Sequence, residues 1–296
     1  MTRPITLLDG GTGRELQRIG APFRQPEWSA LALIEAPETV VQVHRNYLAA
    51  GAQIITSNSY AVTPFHIGQA RFAASGVALA DRAGRLGREA IGSGPGRLAG
   101  SLSPVLGSYR PDLFDSALAR PILEALARGL SPHIDLWLAE TLSAIEEARL
   151  VRAVLGDAPL PLWLSFTLQD DGEHTPPRLR SGETVIEAVR SALELGAEAV
   201  LFNCSQPEAM LEAVRTARAV IGAGEQGLGV YANAFPPQPK DATANDGLDP
   251  IREDLTPEAY VRFAQAWVEA GADIIGGCCG VGPEHIAALA LQLEPR

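Results

Sequence analysis

The chain has no surplus of positive charge. Its 24 Lys and Arg stand against 35 Asp and Glu, a net charge of -11. That balance argues against nucleic acid or an anionic membrane as a partner. It has no run of about 18 apolar residues, so no membrane span is expected. Residues 1–9 hold one Arg and no apolar stretch of signal-peptide length, which makes the cytosol the expected compartment. Cysteine is scarce: there are three, an odd number without the spacing of a disulfide framework. In a reducing compartment, so few cysteines suit a metal or catalysis better than a crosslink. No linker divides the chain, and no repeat is visible beyond an alternation of short apolar runs with longer helical patterns. With 46% hydrophobic residues over 296 positions, one large core is affordable and a single domain spanning 1–296 is expected.

The alternation sets the fold class. Strands are predicted at 5–8, 53–56, 97–100, 136–139, 162–166, 199–202, 228–231 and 273–275. Helices are predicted at 37–50, 67–91, 113–130, 143–155, 182–195, 207–221, 256–270 and 283–293. Pro37-Glu38 and Pro257-Glu258 place Pro and then Glu in a first helical turn. Gly51, Gly196 and Gly271 stand where a helix stops before the next strand. Eight strands, each followed by a helix, point to an α/β fold, a closed (β/α)8 TIM barrel; an open doubly wound sheet is the alternative. The longest stretch without a helical pattern, 235–255, follows the seventh strand and is expected to overhang the catalytic face.

In such a barrel the C-terminal strand ends build the active site. Those positions hold Asp9, Asn58, Ser101, Glu140, Thr167, Cys204, Asn233 and the pair Cys278-Cys279. Every cysteine of the chain falls on this one rim. Thiolates are soft ligands suited to zinc, and three protein ligands leave the fourth tetrahedral position for a substrate. The plainer alternative, cysteine packing as a small hydrophobe, would place the residues inside strands or helices. Neighbouring side chains point to opposite sides of an extended chain, so two adjacent sulfurs on one ion require a sharp turn. Gly276, Gly277 and Gly280 permit one. A bond between Cys278 and Cys279 themselves would close a strained ring. The carboxylates of Asp9 and Glu140 suit a cationic amine; helix capping and a core ion pair are their respective structural alternatives. His44, His66, His133, His174 and His285 miss the strand ends and read as surface or packing residues. The Arg-rich run 71–88 reads as a solvated helix face. Trp28, Tyr60, Phe166 and Tyr231 are candidates to line a pocket and contact a cation through their ring faces, or to pack in the core.

Taken together, these residues resemble the homocysteine S-methyltransferase family, zinc-dependent barrels that make methionine from homocysteine. The matching segments are Asp9-Gly10-Gly11-Thr12-Gly13-Arg14-Glu15-Leu16, residues 49–60, Ala139-Glu140-Thr141, Phe202-Asn203-Cys204 and Gly276-Gly277-Cys278-Cys279-Gly280. They run in the family's order over nearly the whole chain. The resemblance implies that Cys204, Cys278 and Cys279 hold zinc, which activates the substrate thiol. It implies that Asp9 and Glu140 bind the ammonium of homocysteine, and that backbone amides near Gly10 and Gly11 receive its carboxylate. Asn233, at its own strand end, joins the candidate substrate-binding set.

The activity so implied is methyl transfer from a small donor to the homocysteine thiol, with no general base required. Larger methionine synthases that resemble this family carry folate and cobalamin domains, for which 296 residues leave no room. A directly bound donor is therefore expected: S-methylmethionine is favoured, with betaine or S-adenosylmethionine as alternatives. The acidic segment 241–254 departs from the family pattern and would cover the pocket. This keeps open another acceptor, a thiol or a selenol such as selenocysteine. A non-catalytic zinc or thiol-redox protein is the third reading. The sequence does not indicate an oligomeric state.

Overall fold

Eight short strands carry the architecture: β1 (Thr6–Leu7), β2 (Ile54–Thr56), β3 (Arg97–Leu102), β4 (Leu136–Leu142), β5 (Leu162–Phe166), β6 (Ala199–Asn203), β7 (Gly227–Tyr231) and β8 (Ile274–Ile275). The computed structural model describes residues 4–157, 159–172, 175–239, 242–245 and 247–293. All pairings are parallel, in the order β1-β8-β7-β6-β5-β4-β3-β2. The ring closes between β1 and β2 through one parallel bridge, Leu8 to Ile54. Two hydrogen bonds flank it, from Gln53 N–H to Leu7 O (2.8 Å) and from Asp9 N–H to Ile54 O (3.0 Å). Parallel neighbours need crossover connections, here helices packed outside the ring. The fold is a (β/α)8 barrel, with all eight expected strands in the expected order.

Strand alternation sends every second side chain into the barrel. Leu8, Ile54, Ala99, Leu136, Leu138, Trp163, Ala199, Leu201, Tyr231 and Ile274 form an interior cluster of their own. The larger core lies between strands and helices. Toward the C-terminal ends the inward positions turn polar. Ser101 follows Ala99, Glu140 follows Leu138, Ser165 follows Trp163, and Asn203 follows Leu201, all of them buried. That switch from apolar to polar along each strand marks the end on which chemistry is built.

Helix punctuation follows the local chemistry. Gly51 (φ +107°), Gly196 (φ +72°) and Gly271 (φ +108°) take the left-handed conformation that ends a helix cleanly. The stretch expected as one helix, 67–91, is two: Pro64–Ile67 and Gln69–Ile91, split at Gly68 with φ +81°. The helix expected from 113 begins at Ser116, where the Asp115 carboxylate accepts the amides of Ala117 (2.8 Å) and Leu118 (3.1 Å). Two further helices, Thr12–Arg18 and Ser29–Glu35, occupy the connection after β1. At seven residues each, they are too short for their period to show in the sequence. Among the described residues no helix is long and apolar enough to cross a membrane.

Candidate active site

Cys204 follows β6, and Cys278 and Cys279 follow β8, so two strand ends on either side of β7 bring them together. Their three sulfurs lie within 4.8 Å of one another. The turn that presents Cys278 and Cys279 is pinned by the backbone. Gly276 N–H donates to Val230 O (2.9 Å), Gly277 N–H to Asp9 O (2.9 Å), Cys278 N–H to Ala232 O (2.9 Å), and Cys279 O accepts from Ala234 N–H (2.8 Å). The glycines are there for proximity. A Cβ on Gly277 would stand 2.1 Å from Val281 Cγ1. One on Gly11 would stand 2.6 Å from Cys278 O. Cys204 and Cys278 are joined as a disulfide, with Cα atoms 5.8 Å apart, and Cys279 is free. Nothing in the cysteine spacing pointed to this pair; convergence of two strand ends creates it.

The donor set fits zinc. Three thiolates bound tetrahedrally at about 2.3 Å lie roughly 3.8 Å from one another. Burial pushes the Cys279 thiol up to about 11, so without a cation beside it the sulfur keeps its proton at neutral pH.

Asp9 and Glu140 line the same cavity, and both are buried. Asp9 accepts from Thr56 N–H (2.7 Å) and Thr56 Oγ1 (3.0 Å). Glu140 accepts from Ser101 Oγ and from Tyr231 OH (3.3 Å). Burial raises each carboxyl to about 7; the hydrogen bonds oppose it, and Glu140 raises Asp9 further. Among the described residues neither has an ion-pair partner. Two acids thus share a cavity in which the described residues supply no cation to hold them ionised.

Glu140 owes its aim to an irregularity. The pairing of β4 with β5 shifts register between Ala139 and Leu142, and Thr141 there takes φ +60°. Asn203 clamps the kink: its Oδ1 accepts from Thr141 N–H (2.9 Å) and Ser165 Oγ (2.7 Å), and its Nδ2 donates to Thr141 Oγ1 (2.8 Å). The next residue, Cys204, has φ +51°. One side chain therefore ties the strand end bearing a cysteine to the strand end bearing a carboxylate. Among the described residues four non-glycines have positive φ: Trp28, Tyr109, Thr141 and Cys204. Three line the cavity and the fourth adjoins Glu140. Strain of this kind gathers where the surroundings over-determine a functional geometry.

The cavity encloses about 170 Å³ between the barrel mouth and the segment after β7. That segment does overhang the strand ends, as its length suggested. Gln25 grips it, donating to Gly247 O (2.7 Å) and Ala244 O (3.1 Å) and accepting from Gly247 N–H (3.2 Å). Trp28 Nε1 donates to Asn245 Oδ1 (2.8 Å), and Arg14 donates to Asp249 O while its guanidinium lies over the Phe235 ring. Lys240, Asp241 and Asp246 of the acidic stretch lie outside the described residues, as does His174.

Several residues differ from their sequence reading. Tyr60, Trp28 and Tyr231 line the cavity, but Phe166 is wholly in the core. His66, read as surface or packing, is buried and lines the cavity, because the short helix after β2 folds over the mouth. Of the other described histidines, His44 is fully buried, His285 bridges Gly282 N–H (3.2 Å) to Leu255 O (2.9 Å), and His133 meets Asp81 (2.8 Å). Asn233 is off the cavity wall: it is fully buried and its Oδ1 accepts Phe235 N–H (3.3 Å). Gly10 and Gly11 do line the cavity, yet the Gly11 amide is already committed to Val281 O (3.0 Å). Thr167 and Ser101 act from behind the wall, Thr167 donating to Cys204 O (3.3 Å).

Comparison with known proteins gives the family. The family model described as homocysteine S-methyltransferase matches residues 6–293. A homocysteine S-methyltransferase of Escherichia coli K12 is 33% identical, covering 96% of this chain and 94% of its own. A selenocysteine methyltransferase of Astragalus bisulcatus is 27% identical, covering 96% of this chain and 90% of its own. The crystal structure of the Escherichia coli homocysteine methyltransferase MmuM in its metallated form superposes with a TM-score of 0.74 at 29% identity, over 98% of this chain and 96% of that one. With its barrel, its rim of cysteines and a family match along almost its whole length, this chain belongs to the homocysteine S-methyltransferase family and is a methyltransferase.

Proposed function

We propose that the protein transfers a methyl group from a small sulfonium donor to the thiol of homocysteine, giving methionine. One observation carries the reading: three clustered cysteine sulfurs and two buried, unpaired carboxylates share a single cavity. The first set suits the sulfur end of an amino-acid thiol, and the second suits its ammonium end.

Cys204, Cys278 and Cys279 are the residues that would hold zinc, once the Cys204–Cys278 bond is reduced. Zinc bound there supplies acidity to a substrate thiol, so that the sulfur is a nucleophile at neutral pH. The chain's own residues do the rest. Asp9 and Glu140 accept hydrogen bonds from the ammonium, and its charge draws both carboxyls back to the ionised form. Ser101 and Tyr231 keep Glu140 aimed; Thr56 does the same for Asp9. Trp28 with Thr243, Ala244, Gly247 and Asp249 covers the cavity and limits water beside the reacting atoms. In the transfer itself the acceptor sulfur forms a bond to the methyl carbon. The donor's S–CH3 bond breaks, its electron pair stays on the donor sulfur, and the thiol proton leaves to solvent. With S-methylmethionine, both products are methionine.

The wall favours a donor of net positive charge. It presents the carboxylates of Asp9, Glu140 and Asp249 and the rings of Trp28, Tyr60, Tyr109, Tyr231 and Phe235, with no Lys or Arg lining it among the described residues. S-methylmethionine carries that charge; a betaine is neutral overall. The test is methionine formation by reduced, zinc-loaded protein from homocysteine with S-methylmethionine, S-adenosylmethionine or betaine. Selenocysteine is run as a parallel acceptor. Methionine with the first donor is the expected result. No product from homocysteine with any donor, zinc remaining bound, overturns the proposal.

A further inference from the structure

We propose that Asp170 and Arg180, a buried ion pair outside the cavity, are positioning residues for the transfer step and act through Tyr109 and Gln238. The inference rests on the methyl-transfer reading above. The connection after β5 doubles back on itself: Leu168 bridges Leu179 antiparallel, and Gln169 N–H donates to Arg178 O (3.0 Å). That turn sets Arg180 beside Asp170, with Nη2 donating to Oδ1 at 2.8 Å and both side chains buried. The pair then reaches three other strand ends. Asp170 accepts Gln206 N–H on Oδ2 (3.0 Å), two residues past Cys204, and Gln238 N–H on Oδ1 (3.2 Å), after β7. Arg180 Nη1 donates to Gln238 O (3.1 Å), so the pair holds both main-chain groups of Gln238. Its guanidinium carbon lies 4.7 Å from the centroid of the Tyr109 ring, after β3. Tyr109 and Gln238 line the cavity; Asp170 and Arg180 do not.

A pair of this kind is a poor source of stability. Withdrawing two charges from water is offset only when the geometry is good and every remaining proton is satisfied, and apolar residues of similar volume often do as well or better. Here Arg180 Nε is buried without a hydrogen-bond partner. What apolar residues would not supply is direction. A guanidinium is a planar fork, with hydrogen bonds at its edge and an aromatic ring against its face. The edge sets Gln238 and the face sets Tyr109. Tyr109 needs such a hold, because it has φ +68° without being glycine. The grip extends along the same segment: Gln206 Nε2 donates to Phe235 O (3.2 Å), and Phe235 also lines the cavity. The cover is thus fastened twice, at Gly247 by Gln25 and at Gln238 by this pair. Group transfer needs the reacting atoms in line, and a displacement of about 1 Å caused from a distance can slow it about a hundredfold. Tyr109, Phe235 and Gln238 are the part of the wall that this pair aligns.

The experiment compares wild type with Arg180→Lys, Arg180→Met and the double variant Asp170→Asn/Arg180→Met, all reduced and zinc-loaded. Arg180→Met alone leaves a buried carboxylate unpaired and is the variant least able to fold. The other two avoid that: Lys keeps a charge beside Asp170, and the double variant removes both charges. In these two, melting temperature and zinc content are expected to stay near wild type. The methionine dissociation constant is expected to change less than about threefold, since Asp9 and Glu140 keep their own partners. For methionine formation, kcat is expected to fall about tenfold or more in both, with the homocysteine KM changed less than about threefold. Hydrogen exchange at the Gln238 amide should quicken about tenfold in the double variant. Wild-type kcat in Arg180→Lys overturns the inference, because a pair that serves only to neutralise Asp170 is restored by any cation. An unchanged kcat per folded molecule in the double variant, or a loss that follows the zinc content, overturns it too. If wild type forms no methionine with any donor, methyl transfer falls separately, and exchange at Gln238 decides the rest: quickened exchange keeps the pair as the hold on the wall, and unchanged exchange removes it.

Discussion

Asp9→Asn separates two quantities that the wild-type site sets against each other. Burial raises Asp9 from an ordinary 3.8 to about 7. A folded pKa above the unfolded one means that the folded state favours the neutral acid. Relative to an unshifted group, stability is whole below about pH 4 and is lost as pH rises through about 7. At 1.36 kcal/mol per pH unit, the raised pKa costs about 4 kcal/mol at pH 8, where the folded side chain is ionised, and about 2 kcal/mol at pH 5, where folding protonates it. Asn keeps an acceptor for Thr56 N–H and removes the charge. Over 296 residues, an unfolding entropy of about 2.1 cal/mol/K per residue converts these costs to about 6 °C of Tm at pH 8 and about 3 °C at pH 5. The same change removes a charge-assisted hydrogen bond to the substrate ammonium, worth about 1.5–3 kcal/mol, or roughly 10- to 150-fold in the KM for homocysteine. The assay is calorimetric melting of ligand-free, reduced protein from pH 5 to 8, beside steady-state kinetics. A variant that melts lower than wild type, or whose advantage does not widen with pH, refutes the reasoning.

Other perturbations probe the remaining parts. Each of Cys204→Ser, Cys278→Ser and Cys279→Ser is expected to lose most of the zinc and nearly all activity; full zinc occupancy in Cys204→Ser, read by metal analysis, would sink the three-thiolate site. Asn203→Leu releases the Thr141 kink, so zinc affinity and homocysteine KM should both worsen, about tenfold each, with circular dichroism unchanged; an unaltered KM removes the brace from the account. Gly11→Ala drives a Cβ toward Cys278 O, 2.6 Å away, and should cost on the order of 2 kcal/mol in urea unfolding and loosen zinc. Methionine has no thiol to titrate, so its dissociation constant isolates the carboxylates: it should tighten about tenfold from pH 6 to 8 as Asp9 and Glu140 ionise, and a flat profile contradicts their role.

The strands were legible because each is a short, largely apolar run closed by punctuation, and some are wholly buried, as Leu162–Phe166 and Ala199–Asn203 are. The rim was legible for the same reason, since the end of a strand can be read without knowing its neighbours. What escaped depends on pairings far apart in sequence. The grip of Gln25 on Gly247 spans 222 positions, and no local pattern announces it. His66 was passed over because it lies ten residues beyond the predicted strand 53–56, in a helix of four residues that only the folded connection carries over the mouth. Gly11 matched the right motif, but its purpose is the approach of Cys278 O, and that contact joins the two ends of the chain. Asn233 occupied a strand end, yet the backbone after β7 turns its side chain into a cap for Phe235.

The ring closes at its thinnest point. Between β1 and β2 there is a single bridge, and Asp9 stands on it, bonded to Ile54 through its amide and to Thr56 through its carboxylate. Glu140 comes from β4, elsewhere around the ring. An ammonium held by both acids would act as a staple across the mouth, so that the substrate completes the barrel as well as entering it. The amides of Asp9 and Gln53 then become a clock for occupancy: their exchange with deuterated solvent should slow markedly when the amino acid binds, while the amides of β5 and β6 keep their pace.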